Sequence, residues 1–337
     1  MIEFLASCAL GIGATSASLA LVLAVRRMWF HLLERRRQGL DARLGPLALS
    51  LIQGGEVDDQ LSGPEVRLLA ELVARYARIL SGETRAHIAN FFERIGHVDR
   101  EIGALSDRRA TRRATAAYML GEMASRRAVP ALLASLEDPE RDVRASAVRS
   151  LGRLGAPEAV LRIVRALSRR EIPTVIGAQS LLAIGSASVS PVRRMLADQD
   201  GEVRAVAVEV LGLLGGGSEA RLLVKRLRDD SAEVRAKAAR ALGRIGAGGA
   251  ARQLEAALDD RVPFVRAVAA TALGAIGDRR AVESLLAQAR NDAFWPARAA
   301  AHALVRIEPE ALAAAAGHPG AGPHVRESAV LAALQVG

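Results

Sequence analysis

The sequence predicts an all-α protein: an α-solenoid of helical hairpins with a period of about 30 residues, preceded by a single transmembrane helix. Three observations lead there. A template runs from Val143 to Gly155 and recurs at Val203–Gly215, Val234–Gly246 and Val265–Gly277: Val-Arg, small apolar residues, Leu-Gly, and an aliphatic residue before a closing Gly. With looser copies counted, the position of Arg144 recurs at 85, 113, 144, 174, 204, 235, 266, 297 and 326, in steps of 28 to 31 residues. A fixed step of this size marks stacked supersecondary units, each unable to bury its own apolar face. Finally, Phe4 to Val25 is a run of 22 residues without a charge.

That run comes first in the chain, and residues 1–25 are read as a transmembrane anchor. At about 1.5 Å per residue it makes about 33 Å of helix, enough for a bilayer core of about 30 Å. Arg26 and Arg27 follow, with Trp29 and Phe30 at interfacial depth and Arg35, Arg36 and Arg37 beyond. The positive-inside bias then puts the N-terminus outside and the remainder in the cytoplasm, which predicts a single-pass protein of the inner (cytoplasmic) membrane. A cleaved signal peptide would carry its positive charges before the apolar run, and here they come after it. Leu5-Ala6-Ser7-Cys8 matches a lipoprotein box but has almost no apolar run ahead of it. Ser7, Gly11 and Thr15, four apart, form a ridge of small residues. Such a ridge suits close approach of a second membrane helix, and also arises by composition alone in a weakly apolar segment.

Residues 26–63 read as a basic juxtamembrane segment followed by a linker, whose Gly-Pro, Gly-Gly and Ser-Gly breaks leave room for one short helix. Residues 64–107 read as a helical N-terminal cap. Val66, Leu69, Leu72, Val73, Tyr76 and Leu80 give Pro64–Leu80 one apolar face, and residues 84–106 complete the closure of the first repeat.

Residues 108–337 are the repeats. In the unit at 143 the apolar residues Val143, Ala147, Val148, Leu151 and Leu154 share one helical face. Gly155 ends that helix, and Pro157 opens a second one bearing Val160, Leu161, Val164 and Leu167. Asp138/Arg144, Asp198/Arg204, Asp229/Arg235 and Asp260/Arg266 each stand six apart. Those Arg residues could form a ladder of anion sites. Recurring with an Asp beside small residues, they are read instead as bonding the preceding Asp or turn carbonyls and tiling unit against unit.

In length, in the Asp that closes one helix and in the Val-Arg that opens the next, this unit resembles the short HEAT-like repeat of bacterial scaffold proteins and of the phycobilin-lyase group. The resemblance covers about residues 84–337 and implies the fold; it says little of function, because this fold hosts many. Ankyrin and tetratricopeptide signatures are missing.

Charge points to a surface. The chain carries a net +9; residues 1–107 contribute −1 and residues 108–337 contribute +10. In such arrays the second helices usually line the concave side, and here the middle ones are basic. The expected partner-binding residues are Arg162, Arg165, Arg169, Arg193, Arg194, Arg221, Lys225 and Arg226, with Arg170 and Arg228 beside them. Three readings fit this strip: solvated surface of an Arg-rich chain, docking of an acidic protein partner, and binding of nucleic acid or anionic lipid. Aromatics at 3% supply little for stacking on bases, and this, with the membrane tether, counts against nucleic acid. Departures from the template at Pro173-Thr174 and Pro296-Ala297 fit drift or a functional notch, and Phe294-Trp295 fits either a packed pair or an exposed hot spot.

Catalytic chemistry is not legible. No Ser/His/Asp grouping, phosphate loop or spaced carboxylate pair stands out, and Cys8 is the only cysteine. The six His are scattered without metal-ligand spacing. No metal, cofactor or small-molecule substrate is therefore expected. The sequence is read as a membrane-anchored cytoplasmic scaffold or accessory subunit and not as an enzyme. Its partner is expected to be an integral membrane protein, by resemblance to HEAT proteins that accompany polysaccharide-synthesising glycosyltransferases. A lyase-like or DNA-glycosylase-like enzyme, or a tethered nucleic-acid binder, is the alternative.

Overall fold

The computed structural model describes residues 42–57, 61–77 and 82–336, all helix, turn or loop. The anchor at 4–25, the ridge of Ser7, Gly11 and Thr15 and the interfacial Arg26, Arg27, Trp29 and Phe30 lie outside the described residues. Among the described residues no single helix is long and apolar enough to cross a membrane.

The chain forms two compact units. The first comprises the described residues up to 100 with residues 122–125, and holds α1 (Ala42–Ile52), α2 (Gly63–Ala77) and α3 (Gly82–Arg94). Its core gathers Leu44, Leu51, Val66, Leu69, Val73, Ile88 and Phe92, all fully or almost fully buried. Within residues 84–106 the chain turns at Gly96, whose φ of +69° lets it pass from α3 into α4 (His97–Ala104).

The second unit, residues 101–121 and 126–336 of the described chain, is the repeat array. Its first helices are α5 (Ala110–Glu122), α7 (Arg141–Arg153), α9 (Thr174–Ile184), α11 (Gly201–Leu214), α13 (Ala232–Ile245), α15 (Pro263–Ile276), α17 (Phe294–Ile307) and α19 (Pro323–Val336). The second helices are α6 (Val129–Ala134), α8 (Val160–Ser168), α10 (Val189–Met195), α12 (Ala220–Arg226), α14 (Ala251–Ala256), α16 (Val282–Asn291) and α18 (Pro309–Ala316). Most second helices are shorter than the first. The one expected from Pro157 begins with a 3-10 turn at Pro157–Ala159 before α8, a pattern repeated in most later units.

First helices pack side by side from α7 to α17. Their template explains both faces of that packing. Val143, Ala147, Val148 and Leu151 of α7 are buried, as are Val203, Ala207, Val208 and Leu211 of α11 and Val234, Ala238, Ala239 and Leu242 of α13. The Gly of each Leu-Gly meets the next first helix: a Cβ on Gly243 would lie 2.8 Å from Cα of Ala272, and one on Gly274 2.8 Å from Cα of Ala303. Gly121, Gly152 and Gly212 make the same approach to Ser150, Ser180 and Ala241. Small residues at these crossings let the backbones come together and gain dispersion contacts along the whole helix.

The template Arg supplies a second fastening. Arg235 lays its guanidinium on Asp260 of the next unit, Nε 2.6 Å from Oδ2 and Nη2 2.9 Å from Oδ1. Its Nη1 donates to the main-chain carbonyls of Asp229 at 2.8 Å and Asp230 at 3.1 Å. Arg113, Arg204 and Arg266 grip Asp138, Asp229 and Asp292 in the same bidentate way. The pairing expected from the six-residue spacing is thus refined. The preceding Asp offers only its carbonyl, and for Arg204, Arg235 and Arg266 the carboxylate partner is the Asp 25 or 26 residues ahead, while Arg144 bonds only main-chain carbonyls, those of Asp138, Pro139 and Glu171. Each of these Asp residues also accepts a backbone N–H from the turn that opens the following helix, as Asp260 does from Val262 at 2.9 Å. One residue therefore caps a turn and joins two units.

Candidate protein-binding surface

The strip expected from sequence lies on α8, α10 and α12, three successive second helices, and the structure divides it into two kinds of residue. Arg162, Arg193 and Arg226 are tied to neighbouring units. Arg162 donates to the carbonyl of Leu133 at 3.0 Å, and Arg226 to that of Leu196 at 3.0 Å. Arg193 forks Glu219, at 3.0 and 2.5 Å, and Glu219 is fully buried. The Arg193 hydrogen bond is the main cause that holds the Glu219 carboxyl below its usual range. These three arginines stitch the second-helix layer much as the template Arg stitches the first.

The others face solvent. Arg165, Arg194, Arg221, Lys225 and Arg228 are exposed and have no partner within the described residues. Arg169 makes only a loose 3.7 Å pair with Glu171 in an exposed turn. Most acids that share the strip are already engaged. Glu158 pairs with Arg126, Glu219 with Arg193 and Asp229 with Arg204, while Asp198 accepts the N–H of Asp200. Arg165, Arg194 and Arg221 thus meet little of the chain's own negative charge, while Lys225 and Arg228 share a cleft with Asp198 and Asp230. Lys225 and Arg228 border a shallow cleft of about 310 Å³ with Arg226, Asp198, Asp229 and Asp230. The corresponding cleft two units on, about 850 Å³, is of mixed charge, lined by Arg252, Glu255, Asp259, Arg261 and Gln288 among others. Positive character fades toward the C-terminal units, as the sequence indicates.

A feature the charge pattern does not reveal lies at the start of the later first helices. Phe264 and Trp295 stand two residues before Arg266 and Ala297, where earlier units carry Asp142, Glu202 and Glu233. Phe264 is 45%, Phe294 54% and Trp295 68% exposed. Phe294 sits edge-on between Trp295, at 5.1 Å, and the ring of His324, at 4.6 Å. Trp295 is therefore a surface residue and not a wedge between units. Aligning the units by their Arg would have flagged the exchange of acid for aromatic.

No group of three or more His, Cys, Asp or Glu that could hold a metal ion occurs among the described residues. What the arrangement offers chemically is a surface of fixed cations and a separate aromatic edge.

A family model of HEAT repeats matches residues 102–183 and 220–305. No curated protein matches the chain. Among solved structures, importin beta is similar at a TM-score of 0.53 and 16% identity, covering 83% of this chain and 44% of that one. Human deoxyhypusine hydroxylase, in complex with glycerol, is 24% identical over 81% of this chain and 99% of that one, at a TM-score of 0.33. The phycocyanin lyase complex from Nostoc is 23% identical over 71% of this chain and 87% of that one, at a TM-score of 0.32. The likeness to importin beta is one of fold alone. Residues 102–183 and 220–305 are HEAT repeats, and the helical hairpins of this chain form a HEAT-like array.

Proposed function

We propose that this chain is a scaffold, without catalysis of its own, that docks an acidic protein partner on its second-helix face. The observation that carries this reading is the set of exposed, unpartnered cations Arg165, Arg194, Arg221 and Lys225 on consecutive second helices, with Arg228 in the turn after α12. Long cationic side chains held on a repeating framework suit electrostatic docking, because complementarity raises encounter rates and suppresses wrong partners. The exposed Trp295 and Phe294 add an apolar anchor of the kind that concentrates binding energy. The paucity of aromatics elsewhere favours protein over single-stranded nucleic acid.

The uncharged run Phe4–Val25 and the arginines after it support a bacterial inner-membrane tether with the array in the cytoplasm. Confinement to one membrane face raises the effective concentration of any partner held there. The partner is then an integral membrane protein, contacted by the Ser7, Gly11, Thr15 ridge and by the cations. A polysaccharide-synthesising glycosyltransferase complex is our first candidate.

The test is recovery of the full-length protein from native membranes in mild detergent, with co-purifying proteins identified by mass spectrometry. Arg165, Arg194, Arg221 and Lys225 changed together to Glu, and Gly11→Leu separately, should each deplete one membrane protein that the unaltered chain recovers in near-equal amount. Recovery of nucleic acid alone, or of a partner equally with all variants, overturns the reading.

A further inference from the structure

From α7 to α15 the template breaks at one place, α9, and it breaks at two positions at once; α17, with Ala297 and Val305 at the same two positions, departs likewise near the C-terminal end of the array. Thr174 stands where Arg204, Arg235 and Arg266 stand in the following units. The Asp198 carboxylate consequently meets no guanidinium, Arg204 reaching only its main-chain carbonyl, and it accepts the N–H of Asp200 at 2.9 Å. Leu182 stands where Gly152, Gly212, Gly243 and Gly274 stand. By the register of Gly152 on Ser180 and Gly243 on Ala272, the position facing it in α11 belongs to Val210. Two branched side chains at a crossing that elsewhere pairs Gly with Ser or Ala hold the helix axes apart.

The same seam is fastened along its other layer. Arg193 of α10 forks the buried Glu219 ahead of α12, and Arg226 of α12 reaches back to the Leu196 carbonyl after α10. In the connecting turns an exposed pair, Arg170 to Asp200 at 2.7 Å, takes the place of the missing rung. The interval between the two stretches matched as HEAT repeats, 184–219, contains α10 and α11 and so falls on this seam.

A seam tied in one layer and loose in the other bends about the tied layer. We infer that the α9–α11 seam is a hinge that sets the spacing between two groups of free cations, Arg165 and Arg194 on one side and Arg221, Lys225 and Arg228 on the other. An acidic partner that engages both groups holds the hinge at one opening; this second clause rests on the docking function proposed above.

The experiment uses the full chain with Cys8→Ser, since Cys8 is the only native cysteine. Spin labels at Ala183→Cys and Arg244→Cys span α9 to α13 across the loose seam, and labels at Leu213→Cys and Ala275→Cys span α11 to α15 across two glycine-closed seams. All four sites are exposed. Each pair bridges two helix spacings, roughly 20 Å. The first pair should give a distance distribution at least twice as broad as the second. Thr174→Arg, alone or with Leu182→Gly, should narrow it toward the second by rebuilding the Asp198 rung. Equal widths in the unaltered protein, or no narrowing in either variant, overturn the hinge. Polyglutamate is then added as the acidic probe and should narrow the first distribution. Binding without narrowing overturns the coupling while leaving docking intact. Absence of polyglutamate binding counts against the docking function and leaves the hinge standing on the free-protein result.

Discussion

At the scale of single residues, the two chemistries of arginine in this chain are separated by what lies opposite each one. Arg235 and Asp260 are both nearly buried, with side-chain exposures of 7% and 10%. A bidentate pair in such surroundings contributes specificity of register, and removing one partner strands the other. Asp260→Asn should therefore lower stability by about 3 kcal/mol, read from the urea midpoint. The same pair sets the acid limit. Hydrogen bonds from Arg235 hold the Asp260 carboxyl below its ordinary value, and Arg113 does the same for Asp138. Burial works the other way at Asp229, but the fork of Arg204 and the Ser231 N–H outweigh it and its pKa is also lowered. A depressed carboxyl stabilises the fold above its unfolded pKa, about 4, and that contribution is lost as pH falls through the lower, folded value. Stability should be flat through neutral pH and drop below about pH 4, with a shallower drop in Asp260→Asn.

At the scale of helices and their crossings, small residues decide how closely units approach. Gly243→Ala puts a methyl 2.8 Å from the Cα of Ala272 and must push α13 from α15. A loss of about 1–3 kcal/mol is expected, despite alanine's better helix propensity, and thermal melts will show it. The second helices give a paired contrast between adjacent positions. Arg194→Glu alters only exposed surface and should leave stability within about 0.5 kcal/mol. Arg193→Glu sets a carboxylate against the fully buried Glu219 and should unfold the protein at distinctly lower denaturant, by about 3 kcal/mol or more. Docking experiments belong on the first kind of residue, because a change at Arg193 or Arg226 reads stability as well as binding.

At the scale of the molecule, an array of stacked units exposes side chains in rows, and a partner meets the row. The free cations of α8, α10 and α12 form one such row, and the aromatic first turns of α15 and α17 form another place of contact. Both lie open to solvent. The recruitment proposed above would use both places, with affinity spread over several modest contacts.

Much of this was legible in the order of residues. The spacing of Val143, Ala147, Val148 and Leu151 specifies an apolar helical face, and its recurrence specifies stacking, because each unit's face has only its neighbours to cover it. Net charge and its concentration beyond residue 107 are likewise properties of composition. What folding alone decided was which of the many arginines are consumed internally. Arg193 and Arg194 are adjacent in sequence and equal in chemistry, yet Glu219 lies 26 residues away and is brought beneath one of them only by the stacking of α10 on the next unit. The same holds for Arg204, whose spacing to Asp198 suggested a local partner and whose carboxylate is Asp229 in the next repeat. Local sequence fixes helical periodicity because backbone hydrogen bonds and apolar spacing act over a few residues. The pairing of long, charged side chains is set by contacts between units, and those exist only once the array has formed.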